Sequence, residues 1–321
     1  MAFSLGGLSA YTKQLVKPLL TSAVFEAKFQ KLLLAEGIVL PNVKSAASIP
    51  LIDTDAVFAA DSCSFDASGT TTITQRTVTV GKIKVEEKIC PKDLESYFTQ
   101  EALKAGSTYE DFGNSDFQKA YLDKKNTRIA SQLETALWQG DTASGTAAIN
   151  KFDGLVKLVD AGSPVDANVS GYTGVSGSAI STITASNVIS CFKGVRAAIP
   201  SALKGKDGVK IFCGFDVFEL YQQALIDANN FHYSAVDATN YEITIPGTTL
   251  KVVATHGLDT LGDIYALYMP HVALAVDLEG EENNYKMWYS EDNNDVRFRV
   301  AFKMGVNVAY TAECVKFKSA V

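Results

Sequence analysis

Large apolar side chains occupy every second position from residue 296 to residue 310. The series is Val296, Phe298, Val300, Phe302, Met304, Val306, Val308 and Tyr310. This period of two predicts a β-strand with one face buried along its whole length. At about 3.3 Å per residue such a strand is roughly 50 Å long, whereas ordinary strands have about five or six residues. The sequence therefore predicts an elongated domain built around one long strand.

A long helix is predicted ahead of this strand. Between Asp116 and Gln139 an apolar stripe recurs at helical spacing, formed by Phe117, Tyr121, Ile129, Leu133 and Leu137. The other side of the helix carries Lys124, Lys125, Arg128 and Glu134. Asp116 can cap the N-terminus and Gly140 can end the helix. At 1.5 Å per residue this helix is about 36 Å long, so the domain is elongated in its helical part as well.

Residues 48–90 are rich in threonine and valine and predict β-structure. The parity of the apolar side chains changes at Gly81, where Val78 and Val80 give way to Ile83 and Val85. A slip of one residue at a glycine indicates a β-bulge or a bend. The ribbon has few large apolar side chains, and a two-stranded hairpin is only marginally stable alone. We therefore expect it to pack against something outside its own domain.

Shorter elements of both kinds occupy the remaining part of the chain. In chain order they are a helix at about 186–199, a buried strand at 209–213, a helix at 216–227, a hairpin of 241–245 with 250–254, and a strand region at 264–276 that Pro270 interrupts. The mixture of helices with long and short strands predicts an α+β fold.

Charge is distributed unevenly along the chain. The 321 residues include 29 lysines and arginines against 36 aspartates and glutamates, and the net charge of −7 argues against a simple cationic nucleic-acid binder. In the first 44 residues, however, five lysines outnumber the two acids Glu26 and Glu36 by three. The lysines are Lys13, Lys17, Lys28, Lys31 and Lys44. A basic arm on an acidic body suggests a binding role, and a solvated helix face explains the same pattern equally well.

Motifs of catalysis and cofactor binding are missing from the sequence. The three histidines are too far apart for a helical metal pair, and neither HExxH, GxSxG nor a P-loop occurs. The five cysteines include no CxxC pair, which indicates free or buried thiols in a reducing compartment. We predict no enzyme activity, no catalytic residue, no cofactor and no metal site. The sequence also contains no signal peptide and no transmembrane stretch, which predicts a protein made in a cytoplasm.

Three segments carry a resemblance to a known family. The first is ALWQGD at residues 136–141 with INKFDGLVKLV at 149–159, and the second is VKIFCGFDVFELYQQAL followed by ITIPGTTLKVVATHGL. The third is the C-terminal run with an acidic turn, the strand MWYSE, an R-x-R strand (VRFRV) and a Gly-Val pair. In these segments, and in the order of its elements, the chain resembles the major capsid proteins of tailed bacteriophages, which have the Hong Kong 97 capsid fold.

This resemblance implies four structural parts. Residues 1–47 correspond to an N-terminal arm, 48–92 to the E-loop region, 93–159 with 291–321 to a peripheral (P) domain, and 160–290 to an axial (A) domain. In that family the E-loop lies across an adjacent subunit. The candidate assembly residues are therefore Ile73, Arg76, Val78, Val80, Lys82 and Lys84 in the E-loop region, and Lys13, Lys17, Lys28 and Lys31 in the arm.

The resemblance also implies a structural function. Many copies would form pentamers and hexamers of an icosahedral shell around double-stranded DNA. The shell would be assembled in a bacterial cytoplasm, with a portal and decoration proteins as partners. Roughly 45 residues precede the E-loop, so we expect a separate scaffolding protein, or none, and no maturation cleavage. An encapsulin-like nanocompartment shell remains an alternative, as does a cytoplasmic α+β enzyme. From the sequence we also expect that a charge at Val78 or Val80 would block assembly and leave the monomer folded.

Overall fold

The computed structural model describes residues 27–58, 60–61, 63, 68–90, 116–167, 182–228, 236–237, 241–277 and 285–318. The helices in this part of the chain are α1 (Lys28–Glu36), α2 (Asp116–Gln139), α3 (Leu155–Ala161), α4 (Val188–Ala198) and α5 (Phe215–Asp227). The strands are β1 (Ile38–Leu40), β2 (Ala46–Thr54), β3 (Thr71–Thr79), β4 (Gly81–Ile89), β5 (Val165–Asp166), β6 (Val209–Cys213), β7 (Val236–Asp237), β8 (Glu242–Thr244), β9 (Lys251–Ala254), β10 (Ile264–Tyr268), β11 (Val272–Val276), β12 (Tyr285–Ser290), β13 (Asp295–Val308) and β14 (Val315–Phe317).

The first sheet is built around β13. One edge of β13 pairs antiparallel with β4, and the other edge pairs antiparallel with β12 and then with β11. Strand β1 extends the sheet as a parallel neighbour of β11. The even-numbered residues of β13 from Val296 to Val308 are all buried, as the alternation in the sequence predicts. The inner face of the sheet therefore follows directly from the period-two pattern.

Helix α2 packs against this inner face. Its buried residues Ile129, Leu133 and Leu137 belong to the same apolar cluster as Phe298 and Phe302 of β13. The helix has the bounds that the sequence predicts, and Gly140 follows its last residue with a backbone N–H bonded to the carbonyl of Ala136. One face of the first sheet is thus covered by the long helix.

The second sheet contains seven strands in the order β5-β14-β10-β6-β9-β8-β7. Helices α4 and α5 contribute to its core, where the rings of Phe192 and Tyr221 lie 4.4 Å apart. The predicted hairpin is confirmed, because β8 and β9 pair antiparallel with Ile243 opposite Val252. Trp138 at the end of α2 connects this sheet to the first core, since its ring lies 5.4 Å from Phe212 and 6.0 Å from Tyr265.

Strands β2 and β3 form a separate two-stranded sheet, which we call the ribbon. They pair antiparallel over nine residues each, from Ala46 opposite Thr79 to Thr54 opposite Thr71. At about 3.4 Å per residue the ribbon is roughly 30 Å long. The change of parity at Gly81 marks the point where the chain leaves the ribbon, because β3 pairs with β2 whereas β4 pairs with β13.

The sheets cut across the residue ranges that the resemblance implies. Strand β4 falls in the E-loop range and β11 and β12 fall in the A-domain range, yet all three pair with β13. Strand β14 falls in the P-domain range but belongs to the second sheet. The interruption at Pro270 explains part of this difference, because a short 3-10 turn at Met269–His271 separates β10 of the second sheet from β11 of the first.

A close approach at Gly305 leads to a prediction about stability. A Cβ atom at this position of β13 would overlap the backbone carbonyl of Thr79, where the ribbon crosses the sheet. We expect Gly305→Ala to lower the free energy of unfolding by about 1–3 kcal/mol, as overpacking does. Gly145→Ala is the control, because a Cβ there meets nothing within 4 Å, and chemical denaturation should show it within about 0.5 kcal/mol of wild type. Equal stability of the two variants would contradict this account of the crossing.

Candidate assembly interface

The far end of the ribbon exposes apolar side chains. Ile52 and Ile73 are direct cross-strand neighbours, and they are 62% and 71% exposed. Beyond the paired strands, Val57 is 55% exposed and Phe58 is 99% exposed. We call residues 52–73 the ribbon tip, of which the structure describes 52–58, 60–61, 63 and 68–73. Neighbouring exposed apolar side chains on an extended element are typical of a surface that another molecule covers.

The near end of the ribbon is anchored inside its own chain. Val78 is fully buried in a small cluster with Val43, Ile49, Ala273 and Ala275, and half-buried Val80 packs against the same cluster. The alanines belong to β11 and point away from α2, so the ribbon root lies on the outer face of the first sheet. A charge at Val78 would be buried within the subunit itself. The structure therefore predicts a folding defect for that change, instead of the assembly defect expected from the sequence.

Polar contacts fix the path of the ribbon over the outer face. The side-chain amide of Asn307 donates to the carbonyl of Thr77 at 2.8 Å, and the guanidinium of Arg76 donates to the carbonyl of Val308 at 3.0 Å. Farther out, the hydroxyl of Tyr310 donates to the carbonyl of Ile52 at 3.1 Å. From the root of the ribbon to its tip, the contacting residues advance from Asn307 to Tyr310. The ribbon therefore extends past the C-terminal end of β13, away from the first half of that strand. Arg76 serves as an internal anchor in the isolated subunit.

The predicted lysines of the E-loop region lie on β4, within the first sheet. Lys82 and Lys84 are exposed on the outer face. Lys84 forms an ion pair with Glu86 at 2.7 Å. The hydrogen bond from Lys84 lowers the pKa of the Glu86 carboxyl below its ordinary value. The structure thus separates the candidate residues into two groups. Ile73, Arg76 and Val78 lie on the ribbon with Val80 directly after it, and the two lysines lie on the outer face of the sheet.

The lysines of the arm are only partly covered by the structure. Lys13 and Lys17 lie outside the described residues. Lys28 and Lys31 lie in α1, where Lys31 is exposed and the ammonium of half-buried Lys28 donates to the carbonyl of Tyr241 at 3.3 Å. Burial lowers the pKa of Lys28. At least one lysine of the arm therefore forms a hydrogen bond with the residue before β8, a strand of the second sheet.

Glu134 holds α1 against the long helix. Its carboxylate is fully buried and accepts the backbone N–H of Phe29 at 2.9 Å and that of Gln30 at 3.4 Å. These are N–H groups of the first turn of α1, which its own N-cap residue Ala27 leaves without a side-chain acceptor. The sequence predicts Glu134 on the side of α2 opposite the apolar stripe, and this prediction is wrong because the side chain is fully buried. Glu134 directly follows Leu133 and lies three residues before Leu137, and this spacing was the sign in the sequence that Glu134 borders the buried face of α2.

Groups suited to metal binding or nucleophilic chemistry are not gathered at a site in the described part of the chain. No three histidine, cysteine, aspartate or glutamate side chains there could share a metal ion. Burial raises the pKa of the Cys191 thiol to about 11 and that of Cys314 to about 12, so both stay protonated and weakly nucleophilic. A groove of about 600 Å³ next to α4 is lined by Lys193, Arg196 and Lys204 with glycines, threonines and apolar residues, without an acid or histidine. No described helix is both long and apolar enough to cross a membrane.

Solved capsid structures resemble the chain over nearly its whole length. The capsid of an empty GTA particle gives a TM-score of 0.62 at 12% identity, covering 96% of this chain and 95% of that chain. The capsid of Myoviridae phage XM1 gives 0.59 at 11% identity, covering 97% and 98%. The procapsid of satellite phage P4, which includes the size determination (Sid) protein, gives 0.57 at 12% identity, covering 97% and 94%. The chain therefore has the phage capsid fold, which confirms the α+β class and the resemblance found in the sequence.

Comparison at the level of sequence gives no match. No family model matches the chain, and no curated protein matches it. Because the sequence identities of the structural matches are near 12%, these matches establish the fold of the chain and nothing beyond the fold.

Val78 and Ile73 give a matched pair of variants on the same strand. Val78→Asp places an unpaired charge in a fully buried apolar cluster, so we expect the free energy of unfolding to fall by about 3 kcal/mol or more. Ile73→Asp changes an exposed position and should stay within about 0.5 kcal/mol of wild type. Chemical denaturation of the dispersed subunit measures both. A Val78→Asp subunit as stable as wild type would show that the ribbon root is not packed as described.

Glu134 makes the stability of the subunit depend on pH. Burial raises the pKa of its carboxyl from 4.5 to about 7, although the N–H groups of Phe29 and Gln30 favour the charged form. Between these two pH values the folded chain keeps a proton that the unfolded chain loses. The resulting stabilisation of the folded state is complete below pH 4.5 and is lost as the pH rises through 7. Between pH 5 and pH 8 we expect wild type to lose about 2 kcal/mol relative to Glu134→Gln, which is neutral throughout. Parallel pH profiles of the two proteins would exclude a titrating Glu134.

Proposed function

We propose that the chain is the major capsid protein of a tailed bacteriophage. In this proposal many copies assemble into pentamers and hexamers of an icosahedral shell that encloses double-stranded DNA, and the protein resides in the virion. Two observations together support this proposal. The chain has the phage capsid fold over nearly its whole length, and the apolar tip of the ribbon is exposed in the single subunit. The role is structural, and the proposal involves no catalytic step, cofactor or metal.

The ribbon is the part of the subunit that most needs a partner. Two strands alone form a marginal sheet, and within the described part of the chain only the root of this one is buried. Covering a side chain such as Ile52 or Ile73 stabilises an interface by about 1.5–3 kcal/mol. Because each subunit in a closed shell would contribute one such contact, modest individual interfaces would add up over the assembly. We therefore assign the ribbon the E-loop role of lying on an adjacent copy.

The observed sheets suggest a modified division of the chain into parts. We propose that the E-loop is the ribbon with its connecting loop (46–79), that the P domain is the first sheet with α2, and that the A domain is the second sheet with α4 and α5. Residues 1–47 remain the N-terminal arm, which α1 attaches to α2 through Glu134. This division keeps every strand with the strands it pairs with.

Partners follow from the same proposal. A separate scaffolding protein would guide assembly, a portal would occupy one vertex, and decoration proteins could bind the finished shell. The DNA would be held without sequence-specific contacts, since the net charge of −7 keeps an acidic wall from gripping the genome. Arm lysines such as Lys31 would then either face the DNA or bridge acidic neighbours.

The test compares assembly of wild type with that of a ribbon-tip variant. We expect wild type, alone or co-expressed with the product of a neighbouring scaffolding gene, to form shells or capsomer rings in sedimentation and negative-stain electron microscopy. Ile52→Ser with Ile73→Ser should reduce assembly by about tenfold or more, because apolar area that an interface would bury is lost. Ile226→Ser, at an exposed position of α5, is the matched control and should assemble like wild type.

Two results would contradict the proposal. A wild-type chain that stays monomeric under all these conditions would argue against a shell subunit. A tip variant that assembles as well as the Ile226→Ser control would argue against the assembly role of the ribbon. Shells that enclose a cargo enzyme in place of DNA would indicate the encapsulin-like alternative.

A further inference from the structure

Two connections carry the chain between the two sheets at neighbouring positions. Strand β10 of the second sheet leads into β11 of the first, and β13 of the first sheet leads into β14 of the second. Because β10 pairs antiparallel with β14 and β11 pairs antiparallel with β13, the two connections face each other where this ladder is interrupted. Each connection contains a 3-10 turn, at Met269–His271 and at Thr311–Glu313. We call residues 269–271 and 309–314 the crossing.

A backbone hydrogen bond and a side-chain pair join the two connections. The backbone N–H of Ala309 donates to the carbonyl of His271 at 2.8 Å. The imidazole Nδ1 of His271 lies 2.7 Å from the carboxylate Oε2 of Glu313. Both of these side-chain atoms are shielded from solvent, and neither has another hydrogen-bond partner among the described residues. Because separating a buried polar atom from its partner costs free energy, the pair resists movement of one connection relative to the other.

Aromatic contacts hold the imidazole ring of His271 in place. Its centroid lies 4.7 Å from that of Tyr268, at the end of β10, and 5.0 Å from that of Tyr310, in the connection after β13. Rings at such distances stabilise each other. His271 thus contacts two residues of the second connection, Tyr310 and Glu313, while Tyr268 supports its ring from the first. One side chain therefore links the two sides of the crossing.

The ribbon is bonded to the same crossing. The guanidinium of Arg76 donates to the carbonyls of Val308 and Ala309 at 3.0 Å and 3.5 Å, and the hydroxyl of Tyr310 donates to the carbonyl of Ile52 at 3.1 Å. Ala309 and Tyr310 belong to the segment that turns from the first sheet toward the second. In contrast, Val78 at the ribbon root is buried against β11 of the first sheet. A change in the angle between the sheets would therefore move the outer anchors of the ribbon and leave its root in place.

We propose that His271 and Glu313 form a clasp that fixes the angle between the two sheets, and that the ribbon takes its direction from the clasped crossing. When the clasp opens, the second sheet rotates relative to the first, and the ribbon turns about the buried side chain of Val78. The coupling is reciprocal, because a free energy that links two sites acts in both directions. This device belongs to the single subunit. Its consequence rests on the proposed shell function, in which subunits of pentamers and hexamers meet their neighbours at different angles.

Amide hydrogen exchange of the dispersed full-length chain tests the coupling with a matched pair of variants. His271→Ala removes the clasp, and we expect the amides of Arg76–Thr79 at the ribbon root to exchange about fivefold faster. His256→Ala is the control, because His256 also pairs with an acid, Asp259, at 2.6 Å and stacks on an aromatic ring in a 3-10 turn. The side chains of the two histidines are similarly exposed, at 25% and 28%. The control should leave exchange at the ribbon root unchanged.

Two further variants extend this test. Glu313→Gln opens the clasp with little change of shape and replaces His271→Ala if that variant does not fold. Arg76→Met tests the reciprocal direction, and we expect it to speed exchange of the amides of Glu313 and Cys314. Faster exchange confined to the crossing itself in the His271 or Glu313 variants would show a local structural role and overturn the coupling.

A distance measurement reports the direction of the ribbon itself. Spin labels at Thr72→Cys on the ribbon and Lys193→Cys on α4 occupy exposed positions, with Cys63 and Cys90 replaced by serine. Pulsed electron paramagnetic resonance should give one narrow distance for the otherwise wild-type chain and a shifted or broader distribution for the clasp variants. Clasp variants with the distances and exchange of the His256→Ala control would overturn the inference, and normal wild-type shells would leave the shell function standing. A coupled ribbon in a chain that never assembles would support the clasp and count against the shell function alone.

Discussion

Strand β13 is the element that most of the first sheet and the ribbon depend on. It pairs with β4 along one edge and with β12 and β11 along the other, so its backbone hydrogen bonds join segments that are more than two hundred residues apart. Its even-numbered side chains form the core with α2. Its odd-numbered side chains form the outer face, first as the cations from Arg297 to Lys303 and then as Gly305 and Asn307 under the ribbon root. One strand therefore organises both the folding of the subunit and the surface it presents.

The geometry around Gly305 explains why the ribbon is both anchored and incomplete. The missing Cβ lets the chain cross the sheet directly, and Val78 is then buried against the alanines of β11. Past Arg76 the sheet ends, and among the described residues the two strands find no further apolar cluster to pack on. The fold thus stabilises the root by burial and leaves the tip to be stabilised by another molecule. In the proposed shell this division would let the subunit fold before assembly and keep its binding element extended.

The sequence was informative where a period persists over many residues. The alternation from Val296 onward and the stripe of α2 identified the two long elements with nearly correct bounds, because long periodic patterns depend on one buried face. The sequence was uninformative where the pairing of distant segments determines the structure. Nothing local indicates that β10 and β11 join different sheets, that Arg76 bonds to carbonyls of Val308 and Ala309, or that Glu134 caps a helix a hundred residues away. The cations of β4 and β13 likewise form one surface only when the strands are in register.

In the proposed shell, the ribbon is completed by another copy of the chain. Amide hydrogen exchange, compared between dispersed subunits and assembled shells, tests it most directly. We expect the ribbon amides from Ile52 to Thr54 and from Thr71 to Gln75 to exchange rapidly in the dispersed subunit and about tenfold or more slowly in shells. Amides of β13 should be protected in both states, because its hydrogen bonds lie within the subunit. Ribbon amides with the same protection in both states would contradict the account.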